Sequence, residues 1–393
     1  MNERERYRAT AEFAAPDRAF LLPPWAWEET LVRWRGEGLP EEVDLASFFE
    51  TDHEAGAPVD MQGIYGPHLH PGFERHVLLE TSEYQIVRDE EGNTVKLFKD
   101  DPKRSMPSWV TYPMQDRAGW ETLVKPRLDA SVPGRHPQGK DWRCYVTKVA
   151  KRDVPLGIWC GSFYGWPRSF LGVERISTLF YDDPALIHEM CDHIADFVID
   201  LVTPLLQDIQ FDLVYIWEDM AGKAGPLCSP RTYREFMLSP LKRVTAMLHQ
   251  HGVHTIIIDS DGNNDVLIPL WLEAGITGLR PFEIAAECDP VATRRKYGKH
   301  LVIQGGIDKR ALAKDKQAIE REVLSKVPWL CLQGGFFPQV DHLVPPDVSL
   351  ENYLYYSQLL RSMVEDPERF LYEANKKGYI NFEFRQILGR FCP

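Results

Sequence analysis

From about residue 154 onward, short apolar runs alternate with longer amphipathic stretches, and this alternation limits the fold more than any other feature of the chain. The apolar runs are Leu156–Tyr164, Leu213–Trp217, Thr255–Ile258, Gly278–Phe282, Leu301–Gln304 and Trp329–Phe337. Runs of this length suit strands buried on both faces. Between them, Pro184–Gln207, Pro230–His251, Asp265–Glu273, Asp289–Tyr297, Ala313–Lys326 and Ser349–Met363 place apolar residues at helical spacing. Three of these stretches open on a capping residue followed by proline: Asp183-Pro184, Ser229-Pro230 and Asp289-Pro290. The cap side chain accepts from a free amide of the first turn, and proline has no amide to leave unpaired there. Such strand–helix–strand repetition needs a parallel sheet covered by helices. The expected class is therefore α/β, a (β/α)8 TIM barrel with an extended N-terminal segment and a hairpin insertion. Ala19–Leu22 is the candidate first strand. An open doubly wound sheet is the alternative, but no GxGxxG follows any of the runs.

The region before residue 154 is proline-rich and mixed. Glu83–Asp89 and Asn93–Phe98 read as a hairpin joined by the turn Asp89-Glu90-Glu91-Gly92. No linker separates this region from the rest, so residues 1–393 are expected to form one domain, with residues 40–105 an insertion or lid. Acidic residues outnumber basic ones by 58 to 45, a net charge of −13. Nucleic acids and anionic membranes both demand a positive surface, so neither is an expected partner. Seven cysteines without a CxxC or regular spacing suit reduced thiols, and the charged start MNERERYRATAEF has no apolar core of a secretion signal. A cytoplasmic location is the expectation.

Barrels of this class do their chemistry where strands end. After Leu213–Trp217 come Glu218 and Asp219; after Thr255–Ile258 come Asp259, Asp261 and Asn263. Arg280 and Glu283 follow the start of the next run, Gln304 and Asp308 the one after, and Gln339, Asp341 and His342 the last. Loops selected only for solubility would hold more Lys and Ser. Glu218, Asp219, Asp261 and His342 are the candidate catalytic residues, and Trp217, Asp259, Asn263, Arg280, Glu283, Gln304, Asp308 and Asp341 the candidate substrate-binding ones. Each has a plainer reading. Asp259, Asp261 and Asp308 suit helix caps, Arg280 and Glu283 suit a rim ion pair, and adjacent Glu218 and Asp219 point opposite ways on a strand. Metal chemistry needs three or four converging ligands. His68-Leu69-His70 is a weak zinc pattern, and Asp261, Cys288 and Cys331 flank strands in a way that suits a zinc ion. Cys331 also reads as a small core residue.

Several phrases together resemble the uroporphyrinogen decarboxylase superfamily. They are Tyr112-Pro113-Met114-Gln115-Asp116-Arg117 running into Gly119-Trp120-Glu121, and Gly225–Pro230 followed by Tyr233-Arg234-Glu235-Phe236. Tyr297-Gly298 with Leu301–Asp308, Gly334–Pro338, and Asp341-His342 through Pro345–Ser349 to Glu351-Asn352-Tyr353 complete the set. The resemblance spans roughly residues 105–365, with a fainter match near Trp27–Pro40. It implies a barrel with its site at the C-terminal mouth, often as a homodimer.

Two chemistries come with the resemblance. One branch decarboxylates the acetate arms of uroporphyrinogen without a cofactor, gripping them with an Arg-rich N-terminal signature. Here the corresponding stretch, Phe20–Arg35, reads FLLPPWAWEETLVRWR and lacks it; Arg33 and Arg35 come late, on an expected helix. The other branch transfers methyl groups between small substrates and a corrinoid, many members using a His-x-Cys and a later Cys to hold zinc. Asp259-Ser260-Asp261 stands at the His-x-Cys place, and the later place falls near Phe336. Asp261, Cys288 and Cys331 approximate the Asp–Cys–Cys set of methyl-ether members. No DxHxxG is present, so cobalamin would ride on a separate corrinoid protein. The resemblance therefore leans toward a methyltransferase acting on a small methoxy or methylamine-type substrate. A small-carboxylate decarboxylase, for which Arg280 would be the natural clamp, and a non-catalytic binding barrel are the alternatives.

Overall fold

The computed structural model describes residues 1–56, 69–99 and 107–380. His68, half of the HxH pattern, lies outside the described residues. Thirteen strands occur in chain order among the described residues. They are β1 (Ala55–Gly56), β2 (His76–Glu80), β3 (Tyr84–Arg88), β4 (Thr94–Phe98), β5 (Ser108–Thr111), β6 (Leu156–Trp159) and β7 (Leu213–Trp217). Then follow β8 (Ala221–Gly222), β9 (Gly225–Pro226), β10 (Ile256–Asp259), β11 (Gly278–Phe282), β12 (Val302–Ile307) and β13 (Phe336–Val340). The main sheet is parallel throughout, in the order β1-β6-β7-β10-β11-β12-β13. Helices such as Pro184–Asp208, Leu238–Gln250 and Leu350–Glu365 follow its strands. The Asp183, Ser229 and Asp289 side chains cap their helices as the sequence implies.

The hydrogen-bonded main sheet has seven strands among the described residues, not eight. The expected first strand, Ala19–Leu22, forms no ladder, yet it behaves as a strand in its packing. Phe20 and Leu22 join Leu213, Tyr215, Ile257, Val302 and Phe337 in the inner cluster, while Ala19 and Leu21 belong to the outer core beneath the helices. The segment touches both edges of the curled sheet. Asp52, just before β1, donates its amide to the Leu21 carbonyl at 2.9 Å, and Gln339 on β13 donates Nε2 to the Pro23 carbonyl at 3.0 Å. Buried Asp52 anchors it further, accepting from Arg6, Arg18 and the Leu21 amide. Beyond it the chain crosses the strand ends, where Trp25 and Trp27 exchange backbone hydrogen bonds with Val344.

Three expectations shift in detail. Trp329–Gln333 is helical, the end of Val327–Gln333, and the strand starts only at Phe336 after Gly334 and Gly335, both at positive φ. A continuous apolar run is ambiguous between the two structures, and the Gly pair set the break. Pro230–His251 splits into Pro230–Phe236 and Leu238–Gln250. The hairpin forms as β3 and β4, closed by an Asp89–Asn93 backbone hydrogen bond, but it sits inside a four-stranded antiparallel sheet, β2-β3-β4-β5. That sheet runs on to Thr111, past residue 105.

Candidate active site at the strand ends

The strand-end acids go to different duties. Glu218 is fully buried, and its carboxylate accepts from the Ser162 hydroxyl and from the amides of Phe163 and Tyr164, the last at 2.7 Å. It ties the loop after β6 to the end of β7. Burial pushes its pKa up to about 7, against the pull of those donors. Asp219, at positive φ, is held by Arg168 through both its carbonyl (2.8 Å) and its carboxylate (2.6 Å). That guanidinium lies 5.3 Å over the Trp217 ring. Asp308 caps the helix Lys309–Leu312 and pairs with Arg310. Asp341, fully buried, accepts from the amides of Ile284 and Lys309. Glu283 accepts from the Gly262 amide at 2.8 Å. Gly262 itself, at φ +77°, is pressed on Ala221 so closely that a Cβ would lie 2.6 Å from the backbone. Asn263 donates to the Ala286 carbonyl at 3.2 Å. These side chains build the rim, and none of them lines the central hollow described next.

That hollow, about 490 Å³, lies against the inner face of the sheet. Its polar wall is made of Glu54, Tyr215, Arg280, Gln304 and Gln339, and its apolar wall includes Leu22, Trp25 and Trp159. Tyr215 reaches Glu54 at 3.3 Å and Gln304 at 3.5 Å. One hydroxyl carries one proton, so it serves one of them at a time; when Glu54 is protonated it donates to Tyr215, which passes its own proton toward Gln304. Burial raises the Glu54 pKa above the ordinary carboxylate value despite Arg280 nearby. Arg280 lies between two rings, its guanidinium carbon 4.8 Å from the Trp25 centroid and 4.9 Å from that of Tyr215. Its Nε is 3.2 Å from an Asp259 oxygen. Burial lifts Asp259 to about 6, although Arg280 pulls it down.

Above the hollow, His342 Nε2 meets Asp261 at 3.3 Å, and the imidazole lies 5.3 Å from the Trp25 ring. Burial would lower the His342 pKa, but the Asp261 carboxylate outweighs it and the net shift is upward. Of the sequence candidates, then, Arg280, Gln304, Asp259, Asp261 and His342 come together at one end. The expected set Asp261, Cys288 and Cys331 does not converge: Cys288 donates to the Gly262 carbonyl, and Cys331 sits in the helix Val327–Gln333 against the core. Among the described residues no group of three or more His, Cys, Asp and Glu is placed to hold a metal ion, so these donors do not fit zinc. Glu54, Tyr215 and Trp159 escaped the sequence reading. β1 is two residues long and leaves no periodic signal, and Tyr215 is interior to an apolar run.

A parallel α/β sheet whose strand ends surround a polar-lined hollow is the architecture of a barrel-type enzyme. The chain belongs to the uroporphyrinogen decarboxylase (URO-D) family, whose model matches residues 102–363. Curated relatives include the uroporphyrinogen decarboxylase of Legionella pneumophila (strain Corby), 24% identical over 257 residues, which cover 62% of this chain and 67% of that protein. That of Psychromonas ingrahamii is 25% identical over 222 residues, 53% of this chain and 58% of the relative. Among solved structures, a methyltransferase from Methanosarcina mazei superposes with a TM-score of 0.57 over 92% of this chain and 99% of its own, at 14% identity, a likeness of fold. Among the described residues no helix is long and apolar enough to cross a membrane.

Proposed function

We propose that the chain is a methyltransferase, taking a methyl group from a small methoxy or methylamine-type substrate and passing it to a corrinoid carried on a separate protein. The observation that carries this reading is the Glu54–Tyr215 pair in the wall of an aromatic-lined hollow of about 490 Å³. A methyl ether is inert because alkoxide is a poor leaving group. A carboxyl whose hold on its proton is strengthened by burial lessens that obstacle. As the carbon–oxygen bond breaks, its electron pair stays on oxygen and the oxygen takes the Glu54 proton. A corrinoid carried on a separate protein would supply the nucleophile that accepts the methyl carbon. Tyr215 and Gln304 orient Glu54, and Trp25 and Trp159 keep water from the reacting atoms. The fold shared with the Methanosarcina mazei methyltransferase supports the same class of chemistry. Among the described residues Arg280 is the one guanidinium lining the hollow, a poor match for the many carboxylates of uroporphyrinogen.

A second reading, cofactor-independent decarboxylation of a small carboxylate, is favoured by Arg280 in the wall of the hollow, the clamp that reaction would use, with Asp259, lifted to about 6 beside it, as the acid that would return a proton to the carbanion. One assay separates the two. The protein is incubated with reduced cobalamin and a panel of methoxylated and methylated-amine compounds. Loss of the cob(I)alamin absorbance with release of demethylated product supports methyl transfer, and carbon dioxide release without demethylation refutes it.

A further inference from the structure

We propose that the substrate held in this hollow carries a carboxylate as well as its methyl group, and that Arg280 is the handle for it. The inference rests on the methyl-transfer reading only in taking the hollow as the substrate site. An arginine inside a curled sheet is costly to desolvate, and burying it to hold one aspartate gives little net stability. What surrounds Arg280 suits ligand binding better than structure. Trp25 and Tyr215 sandwich its faces, at 4.8 and 4.9 Å, which fixes the plane of the guanidinium. Asp259 stands at Nε, 3.2 Å away, outside hydrogen-bond geometry. A guanidinium carries five N–H donors, so with Asp259 beside Nε and the Tyr215 hydroxyl taking one of them, its terminal nitrogens still have donors for a carboxylate. Gln304 and Gln339 line the same hollow and add amide donors.

The position of this fork sets the substrate's size. Arg280 lies over the Tyr215 ring, and Glu54 takes the Tyr215 hydroxyl. The anion handle and the proton donor therefore both adjoin one tyrosine, which suits a compact methylated acid. The carboxylate is a handle and not the leaving group. Decarboxylation drains charge from the carboxylate into the new carbanion, so a cation fixed on the carboxylate stabilises the reactant more than the transition state. Asp259 is a positioning residue for Arg280.

The test uses the full chain and two matched pairs of probes, meta-methoxybenzoate with meta-methoxybenzamide and methoxyacetate with methoxyacetamide, titrated calorimetrically. The expected result is that in at least one pair the acid binds about 30-fold more tightly than its amide. Arg280→Gln removes that preference and leaves the amide within about threefold, and Arg280→Lys restores part of it. The double variant Arg280→Gln/Asp259→Asn, which leaves no unpaired buried charge, repeats the result if the single variant folds poorly. No acid preference in either pair, no binding of any probe, or a preference that survives in a folded Arg280→Gln protein overturns the inference. Product analysis separates the two claims. Equal demethylation of acid and amide removes the handle and leaves methyl transfer standing. An Arg280-dependent acid preference with carbon dioxide release and intact methoxy groups keeps the handle and removes methyl transfer.

Discussion

Glu54, just before β1, and Glu218, just after β7, are carboxylates flanking strands of one parallel sheet, and they do opposite things. Glu218 is buried to zero exposure and spends its oxygens on one hydroxyl and two backbone amides of the loop after β6. Glu54 accepts, among the described residues, only from the Tyr215 hydroxyl and faces a hollow. Burial raises the pKa of both. The shift therefore does not distinguish a structural acid from a reactive one. What distinguishes them is whether backbone donors have already consumed the oxygens or open space adjoins them.

The largest expected effect tests the structural side. Glu218→Ala leaves the Phe163 and Tyr164 amides buried without an acceptor, at about 4 kcal/mol of stability. Denaturant unfolding checks it, and a loss under ~1 kcal/mol would mean that the loop does not depend on this carboxylate. Glu54→Gln is the complementary change. It should lower kcat/KM for demethylation by about 100-fold or more while moving the unfolding midpoint little; a variant that melts early but turns over normally would reverse the two roles.

The pH dependence comes next. Glu218 and Asp259 bind protons in the native state up to about 7 and about 6, above the ordinary values of 4.5 and 3.8. In that window the native state holds more protons than the unfolded one, so stability falls as pH rises from about 4 to about 7. Glu218→Gln should flatten the upper part of this slope in pH-dependent melting. Activity that needs protonated Glu54 should fall on the alkaline side with an apparent pKa above 4.5. The smallest effect is expected for Asp261→Asn. Asp261 is 41% exposed, so solvent screens its pair with His342 and the change should cost less than about 1 kcal/mol. His342 is raised by Asp261, so what the pair contributes is present at acid pH and lost as pH rises through the folded His342 pKa. A titration of the His342 ring by NMR in the variant should show a lower pKa.

Much of this was legible before any coordinates. β7, β10, β11 and β12 lie within or next to runs read from apolar character, because strands buried on both faces need continuous hydrophobicity. Arg280 and Gln304, read as substrate-binding candidates from their strand-end places, line the hollow, whereas the catalytic candidates Glu218, Asp219, Asp261 and His342 do not line it. Sorting them by role was not legible. An Asp after a strand reads the same whether it caps a helix, as Asp308 does, or pairs with an interior arginine, as Asp259 does. Glu54 left no trace, since β1 is too short for a period to show.

Sequence alone determined the layered α/β architecture, the caps that start its helices and the end of the sheet where polar residues gather, because these depend on local periodicity and backbone chemistry. Tertiary structure decided the rest. It closed the inner cluster with Phe20 and Leu22, which pack as a strand without ladder hydrogen bonds. It also set Arg280 against two rings drawn from Trp25 and Tyr215, positions far apart along the chain. Which carboxylate meets backbone amides and which meets open space is a property of long-range packing, and no local pattern encodes it.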